Sequence, residues 1–197
     1  MFKKSITAEE LNKMPVNCYR GLIVMINNKE AIKEAMKTIL QCSVCGVDTE
    51  AVPSFKKGEW HDVSLLQIAT QDVVFLIRLN KTGVTPDIIR FLESPEICKV
   101  GIALKEDIHR LRINRLHSIT PKNLIDLNEY CSKLGFESIG AKKLSAMILG
   151  IRISKSQQTS NWEVYELTEA QRLYAATDAW ICREIYLKLN NTPTEEI

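Results

Sequence analysis

Short apolar runs alternate with segments of helical periodicity along most of this 197-residue chain, and this alternation constrains the fold more than any other feature. Residues 28–40 carry apolar side chains at helical spacing, whereas residues 21–26 form a continuous apolar run that is typical of a buried strand. Further runs predict strands at 44–50, 63–70, 73–80 and 97–104, with a short one near 124. Gln71 and Asp72 predict a hairpin turn, Thr85 with Pro86 predicts the start of a helix, and residues 140–150 predict another helix. Strands that alternate with helices in this way predict an α/β domain with a mixed sheet of about five or six strands flanked by helices.

The composition narrows the class of protein. No apolar run approaches the ~20 residues of a membrane span, and residues 1–14 lack the apolar segment of a secretory signal. Six cysteines in such a chain predict free thiols in a reducing compartment, so we expect a cytoplasmic location. Because 26 basic residues nearly cancel 24 acidic ones, a nucleic-acid partner requires basic residues that cluster on the surface.

Cys42 and Cys45 form a CxxC motif, which is compatible with half of a zinc site or with a redox pair. A structural zinc site needs about four ligands, and neither a second CxxC nor a nearby cysteine–histidine pair follows in the sequence. The motif runs into a predicted strand, where we expect its two cysteines to point to opposite faces. Plain buried thiols are therefore the favoured interpretation.

Two carboxylates, Asp48 and Glu50, end one of the predicted strands. Residues i and i+2 of a strand point to the same face, so these like charges are predicted to be neighbours on one side of the sheet. Repulsion and burial make such a pair costly, and a bound Mg²⁺ or Mn²⁺ ion would remove that cost. The alternative is a solvated strand end with two exposed acids, and the spacing alone does not decide between them.

Two later segments place acids in comparable positions. Asp107 falls in the first turn of a predicted helix after a buried strand, where the helix dipole alone would also favour an acid. Tyr174 and Asp178 are four residues apart and share one face of the predicted last helix. Asp178 stands in a largely apolar stretch, where an unpaired aspartate is unusual. The alternative for this residue is an exposed acid beside Arg183.

Three acidic motifs follow one another along the chain: DxE at the end of a strand, an aspartate at the start of a helix, and YxxxD in the last helix. A chain with these motifs in this order resembles the DEDD superfamily of 3′–5′ exonucleases. Tyr174 places the resemblance in the tyrosine-bearing branch of that superfamily, among Werner-type and ribonuclease D-like exonuclease domains. The similar stretches are "GVDTE", "VSLLQIAT", "VGIALKEDIHRL", "LIDL", "GAKKLSAMILG" and "KSQQTSNWEVYELTEAQRLYAATDA".

The resemblance implies a ribonuclease H-like exonuclease domain over residues 21–190, with a lead-in at 1–20 and a flexible tail at 191–197. Its implied partner is a nucleic acid with a free 3′ end. The similarity to Werner-type domains favours DNA over RNA, although the sequence itself does not decide between them, and no membrane partner is expected. The chain lacks room for the accessory domain of ribonuclease D or for a helicase, so we expect a free-standing nuclease or one recruited by an unknown protein partner. A nucleic-acid-binding module that keeps the fold without turnover is the alternative.

The resemblance also assigns roles to the acids. It implies that Asp48, Glu50, Asp107 and Asp178 hold two divalent cations, Mg²⁺ or Mn²⁺, which clamp a phosphodiester bond during in-line displacement. Tyr174 would orient the attacking water by a hydrogen bond rather than act as the main base, since an unperturbed tyrosine has a pKa of about 10.

Basic residues near these motifs are candidates for contact with substrate phosphates. They are Lys56, Lys57, Arg110, Lys142 and Lys155. Taken singly, each is better explained as a solvated surface residue.

Overall fold

One mixed sheet of six strands organises the protein in the computed structural model, which describes residues 1–54, 56, 61–104, 108, 111, 119–193, 195 and 197. The strands are β1 (Leu22–Ile26), β2 (Val44–Ala51), β3 (Val63–Ala69), β4 (Val73–Arg78), β5 (Cys98–Gly101) and β6 (Leu124–Asp126). The α-helices of the described residues are α1 (Ala8–Lys13), α2 (Lys29–Ile39), α3 (Leu79–Thr82), α4 (Pro86–Glu93), α5 (Leu127–Lys133), α6 (Ala141–Leu144) and α7 (Glu169–Asn190). The predicted α/β class with a mixed sheet flanked by helices is confirmed.

The strands lie in the order β1-β4-β3-β2-β5-β6. Strand β3 is antiparallel to both of its neighbours, and every other neighbouring pair is parallel. The carboxyl ends of all strands except β3 therefore lie at one edge of the sheet. The acidic end of β2 is at this edge.

Local sequence signals begin the helices that flank the sheet. Asn28 caps α2, and Thr85 caps α4 directly before Pro86. Thr168 and Gln171 form a capping box at the start of α7. These caps satisfy backbone N–H groups that the first helical turn leaves without partners.

Helices cover both faces of the sheet. On one face, Ile32 of α2 and Phe91 of α4 belong to a buried cluster with strand residues. On the other face, Ala175 and Ala179 of α7 pack against residues of β3 and β4. Among the described residues, no helix is both long and apolar enough to cross a membrane.

The segment 140–150, which the sequence predicts as one helix, differs from the prediction. Its first part is α6, and Ser145–Leu149 continues as a π-helix. The wider turn buries Ala146 and Ile148, and Gly150 ends the helix at a φ of 72°, which glycine adopts without steric cost.

Cys42 and Cys45 also differ from the prediction. Strand β2 begins at Val44, so Cys42 lies before the strand and is half-buried, whereas Cys45 is buried within it. A hydrogen bond from the Cys45 thiol lowers the pKa of Cys42 to about 7. The expectation that the two side chains point to opposite faces is wrong, because only one of them belongs to the strand.

Candidate active site

The carboxyl-terminal half of β2 carries the first two acids of the site. Asp48 pairs with Gln67 of β3, and Glu50 pairs with Leu65. Residues that pair directly across an antiparallel ladder point to the same face, and Leu65 packs in the layer beneath α7. Both carboxylates therefore lie on the α7 side of the sheet, where they are half-buried.

Gly46 allows α7 to cross β2 closely, two residues before Asp48. A Cβ atom at Gly46 would overlap the backbone carbonyl oxygen of Ala179, so this approach requires a glycine. Because Asp178 precedes Ala179, the crossing brings the Asp178 side chain to the acids of β2. Asp48, Glu50 and Asp178 each place one carboxylate oxygen within 4.8 Å of the other two.

Asp178 is the most deeply buried acid of this cluster, with 6% of its side chain exposed. Its Oδ2 atom lies 2.6 Å from Nζ of Lys155, whereas Oδ1 is buried and has no hydrogen-bond partner among the described residues. Burial raises the pKa of Asp178, and the ammonium group of Lys155 opposes that shift. One oxygen of this carboxylate is thus available to a cation that enters from solution.

Tyr174 lies one helical turn before Asp178 on α7. Its hydroxyl oxygen accepts a hydrogen bond from Nζ of Lys155 at 3.3 Å, and the same ammonium group contacts Oδ2 of Asp178. Burial, followed by the charge of Asp178, raises the pKa of Tyr174 above its ordinary value. The hydroxyl group is therefore protonated near neutral pH and can hold a water molecule in position, but it cannot serve as a strong base.

Residues 153–167, called the strap below, connect the π-helix to α7 and lie against the site. The ring of Trp162 is fully buried and packs at a centroid distance of 5.9 Å from the ring of Tyr174. The guanidinium group of Arg78 donates to the backbone carbonyl oxygens of Trp162 and Val164. The packing of Trp162 and the hydrogen bonds from Arg78 therefore hold the strap in place. The strap in turn holds the Trp162 ring against Tyr174.

The donor set fits divalent cations. Three carboxylates converge, and carboxylate oxygens are the ligands that Mg²⁺ and Mn²⁺ prefer. The buried Oδ1 atom of Asp178 has no partner among the described residues, and a cation would supply one. Asp48, Glu50 and Asp178 could hold such an ion.

The remaining predicted residues fall into three groups. Asp107, Lys57 and Arg110 lie outside the described residues. Lys56 and Lys142 are exposed on the surface. Lys155 is the basic candidate whose contacts place it inside the site, beside Asp178 and Tyr174.

Two residues that position the site were not predicted from the sequence. Gly46 interrupts an apolar strand, and a glycine there often signals a close backbone approach. Arg78 ends an apolar run, and a charged residue in such a place needs a partner when it is buried. The partner carbonyl of Trp162 is 84 residues away in sequence, so sequence spacing alone could not identify it.

The family model described as 3′-5′ exonuclease matches residues 23–192. The chain belongs to the 3′–5′ exonuclease family. This result confirms the resemblance to the tyrosine branch of the DEDD superfamily that the acid motifs and Tyr174 indicated.

Individual relatives agree with this assignment. The chain is 28% identical over 165 residues to ribonuclease D of Gluconacetobacter diazotrophicus, covering 83% of this chain and 41% of that protein. It is 30% identical over 154 residues to the mouse bifunctional 3′-5′ exonuclease/ATP-dependent helicase WRN, covering 75% of this chain and 11% of WRN. The chain thus spans less than half the length of these relatives.

A solved structure shows the same fold. The Nibbler EXO domain of Aedes aegypti superposes with a TM-score of 0.78 at 21% sequence identity. The superposition covers 92% of this chain and 97% of the Nibbler domain. At this level of identity, the similarity establishes the fold and carries no statement about substrate.

Proposed function

We propose that this chain is a metal-dependent 3′–5′ exonuclease that hydrolyses phosphodiester bonds from the free 3′ end of a nucleic acid, with DNA preferred over RNA. The convergence of three carboxylates within 4.8 Å is the observation that carries the proposal. Membership of the 3′–5′ exonuclease family supports the same reaction. The preference for DNA rests on the resemblance to Werner-type domains that the sequence motifs indicate.

Two divalent cations, Mg²⁺ or Mn²⁺, would activate the attacking water and stabilise the charge that develops on the phosphate. Asp48, Glu50 and Asp178 would hold these ions, with Asp107 as the proposed fourth ligand. The first two acids are on a strand within the sheet and the third is on a long helix, so rigid elements set the geometry of the described ligands.

Tyr174 would orient the attacking water. A hydroxyl oxygen has two acceptor lone pairs, and Lys155 uses one of them. The second can accept a hydrogen bond from a water molecule beside Asp178. Because burial raises the pKa of Tyr174, the tyrosine keeps its proton while it holds this water.

Lys155 would contact the substrate phosphate next to the bond that is hydrolysed. Its Nζ atom lies 2.6 Å from Oδ2 of Asp178, so a phosphate held by cations on Asp178 would be within its reach. Lys56, Lys57, Arg110 and Lys142 remain candidates for phosphates farther along the strand.

A test of direction compares two single-stranded DNA substrates of the same sequence. One is linear with a 3′-terminal label, and the other is covalently closed. With Mn²⁺ we expect labelled mononucleotide from the linear strand, no cleavage of the circle, and no product in EDTA. Cleavage of the circle at the rate of the linear strand would contradict exonuclease action, and product formation in EDTA would contradict the requirement for metal.

The same assay separates the remaining alternatives. A matched RNA strand should be degraded more slowly than DNA, and the opposite order would overturn the proposed preference. Tight binding of strands without turnover would favour the non-catalytic binding module. Asp48→Asn, purified in parallel, controls for a contaminating nuclease.

A further inference from the structure

Gln67, at the centre of β3, has a buried amide group without a hydrogen-bond partner. The residue is 0% exposed, and neither Oε1 nor Nε2 has a partner among the described residues. The strand is buried along its whole length. An amide that is buried without a hydrogen bond destabilises the folded state, so its presence at a core position requires an explanation.

The sheet register identifies the groups beside this amide. Gln67 pairs with Asp48 on β2 and with Leu76 on β4, and directly paired side chains share one face. On the helix above, Ala175 and Ala179 belong to the same apolar layer as Leu76. Asp48 is therefore the polar side chain directly beside Gln67 in the sheet.

The distance between the two positions suits a hydrogen bond. Cβ atoms that oppose each other across an antiparallel pair are about 4.5–5.5 Å apart. The amide of a glutamine is two bonds beyond its Cβ atom, and the carboxylate of an aspartate is one bond beyond. An ionised carboxylate only accepts hydrogen bonds, and the amide nitrogen of glutamine is a donor, so the two groups are complementary.

We propose that Gln67 is a positioning residue for Asp48: its Nε2 atom donates a hydrogen bond to the Asp48 carboxylate while that carboxylate holds a divalent cation. The inference rests on the proposed metal site. A ligating carboxylate retains acceptor capacity for such a bond. Hydrogen bonds to metal ligands fix their orientation and raise the affinity of the site for its metal. Gln67 itself touches neither substrate nor metal in this scheme.

Gln67→Met tests the proposal because it removes the amide group but preserves the length of the side chain. Mn²⁺ affinity is measured by calorimetry on protein stripped with EDTA and then dialysed. We expect affinity to fall by about 10–100-fold. The melting temperature of the metal-free protein should stay the same or rise, because an apolar group replaces an unmatched amide.

Leu76→Met is the matched control, since Leu76 flanks Gln67 on the side away from Asp48. It introduces the same side chain into the same layer and should leave Mn²⁺ affinity unchanged. If Gln67→Met does not fold, Gln67→Leu replaces it in the same measurements.

Four results would overturn the proposal. The first is wild-type Mn²⁺ affinity in Gln67→Met, and the second is an equal loss of affinity in Leu76→Met. The third is a lower melting temperature of metal-free Gln67→Met, which would show that the amide already has a structural partner. The fourth is the absence of Mn²⁺ binding to the wild-type protein, and only this one would also overturn the proposed function.

Discussion

Arg78 and Asp178 are buried charged residues on the same side of the sheet, and the fold satisfies them to different extents. Arg78 is 1% exposed and donates to the carbonyl oxygens of Trp162, Val164 and Tyr165. Asp178 accepts a hydrogen bond from Lys155 through Oδ2, but its buried Oδ1 has no partner among the described residues.

On the proposed function, this difference separates Arg78, a charge that the fold itself satisfies, from Asp178, a charge that a bound cation would satisfy. The carbonyl groups of the strap satisfy the Arg78 guanidinium from within the protein, so its removal should cost stability. The carboxylates of Asp48, Glu50 and Asp178 lie close together, and repulsion between their negative charges destabilises the metal-free fold. Changes at the acids should therefore cost activity rather than stability, and each prediction below tests one side of this comparison.

Asp48→Asn should have the largest effect, with no detectable turnover of a 3′-labelled strand. In EDTA its free energy of unfolding should equal or exceed that of wild type, because the substitution relieves repulsion among the carboxylates. Urea denaturation and the nuclease assay measure the two quantities. The control is Asp72→Asn, the same change at an exposed acid, which should alter neither turnover nor the free energy of unfolding. Comparable hydrolysis by Asp48→Asn and wild type would rule out this site.

Arg78→Met should lower the free energy of unfolding by about 2–4 kcal/mol, because several carbonyl oxygens of the strap lose their donor. Urea denaturation in EDTA measures the loss without a contribution from bound metal. The control is Arg90→Met at an exposed position of α4, which should be nearly neutral. If Arg78→Met is as stable as Arg90→Met, Arg78 is not the structural charge of the comparison.

Tyr174→Phe keeps the ring against Trp162 and removes one hydroxyl group. We expect the single-turnover rate to fall by roughly 10–10³-fold, since a positioned orienting group contributes on this scale, while Mn²⁺ affinity stays nearly unchanged. Tyr165→Phe, at a residue that is 83% exposed, is the control. A wild-type rate for Tyr174→Phe would reduce Tyr174 to a packing residue.

Lys155→Met should have the smallest effect, and it should strengthen the binding of Mn²⁺ rather than weaken it. The ammonium group competes with a cation for Asp178, so its removal should raise Mn²⁺ affinity by about three- to tenfold, as expected for an ion pair worth about 1 kcal/mol. Binding of a DNA strand should weaken in the same variant. Lys133→Met at an exposed position of α5 controls for net charge, and a loss of Mn²⁺ affinity in Lys155→Met would contradict the competition.

The sequence was sufficient to predict the fold class because its signals are local. Apolar runs and helical spacing predicted the six strands and α7, and Thr85 with Pro86 predicted the start of α4. The turn at Gln71 and Asp72 predicted the β3–β4 hairpin. The π-helix of Ser145–Leu149 was missed, because a segment of five residues is too short for its apolar spacing to distinguish a π-helical turn from an α-helical one.

The candidate site was only partly predictable. The spacing of Asp48 and Glu50 and of Tyr174 and Asp178 predicted which side chains share a face, and the family resemblance joined the two pairs. Three other features depend on residues that meet only in the folded chain. They are the close crossing of α7 at Gly46, the hydrogen bonds from Arg78 to the strap, and the contact of Lys155 with Asp178. Periodicity within one element carries no information about such contacts.

The central claim is that divalent cations complete the acid cluster around Asp178. Its most direct test is a calorimetric Mn²⁺ titration of metal-stripped wild type and Asp178→Asn, with unfolding in EDTA followed in parallel. The account predicts that wild type binds two ions and that Asp178→Asn binds more weakly, although its metal-free fold is at least as stable as that of wild type. Equal Mn²⁺ binding by both proteins, or no binding by wild type, would contradict the account.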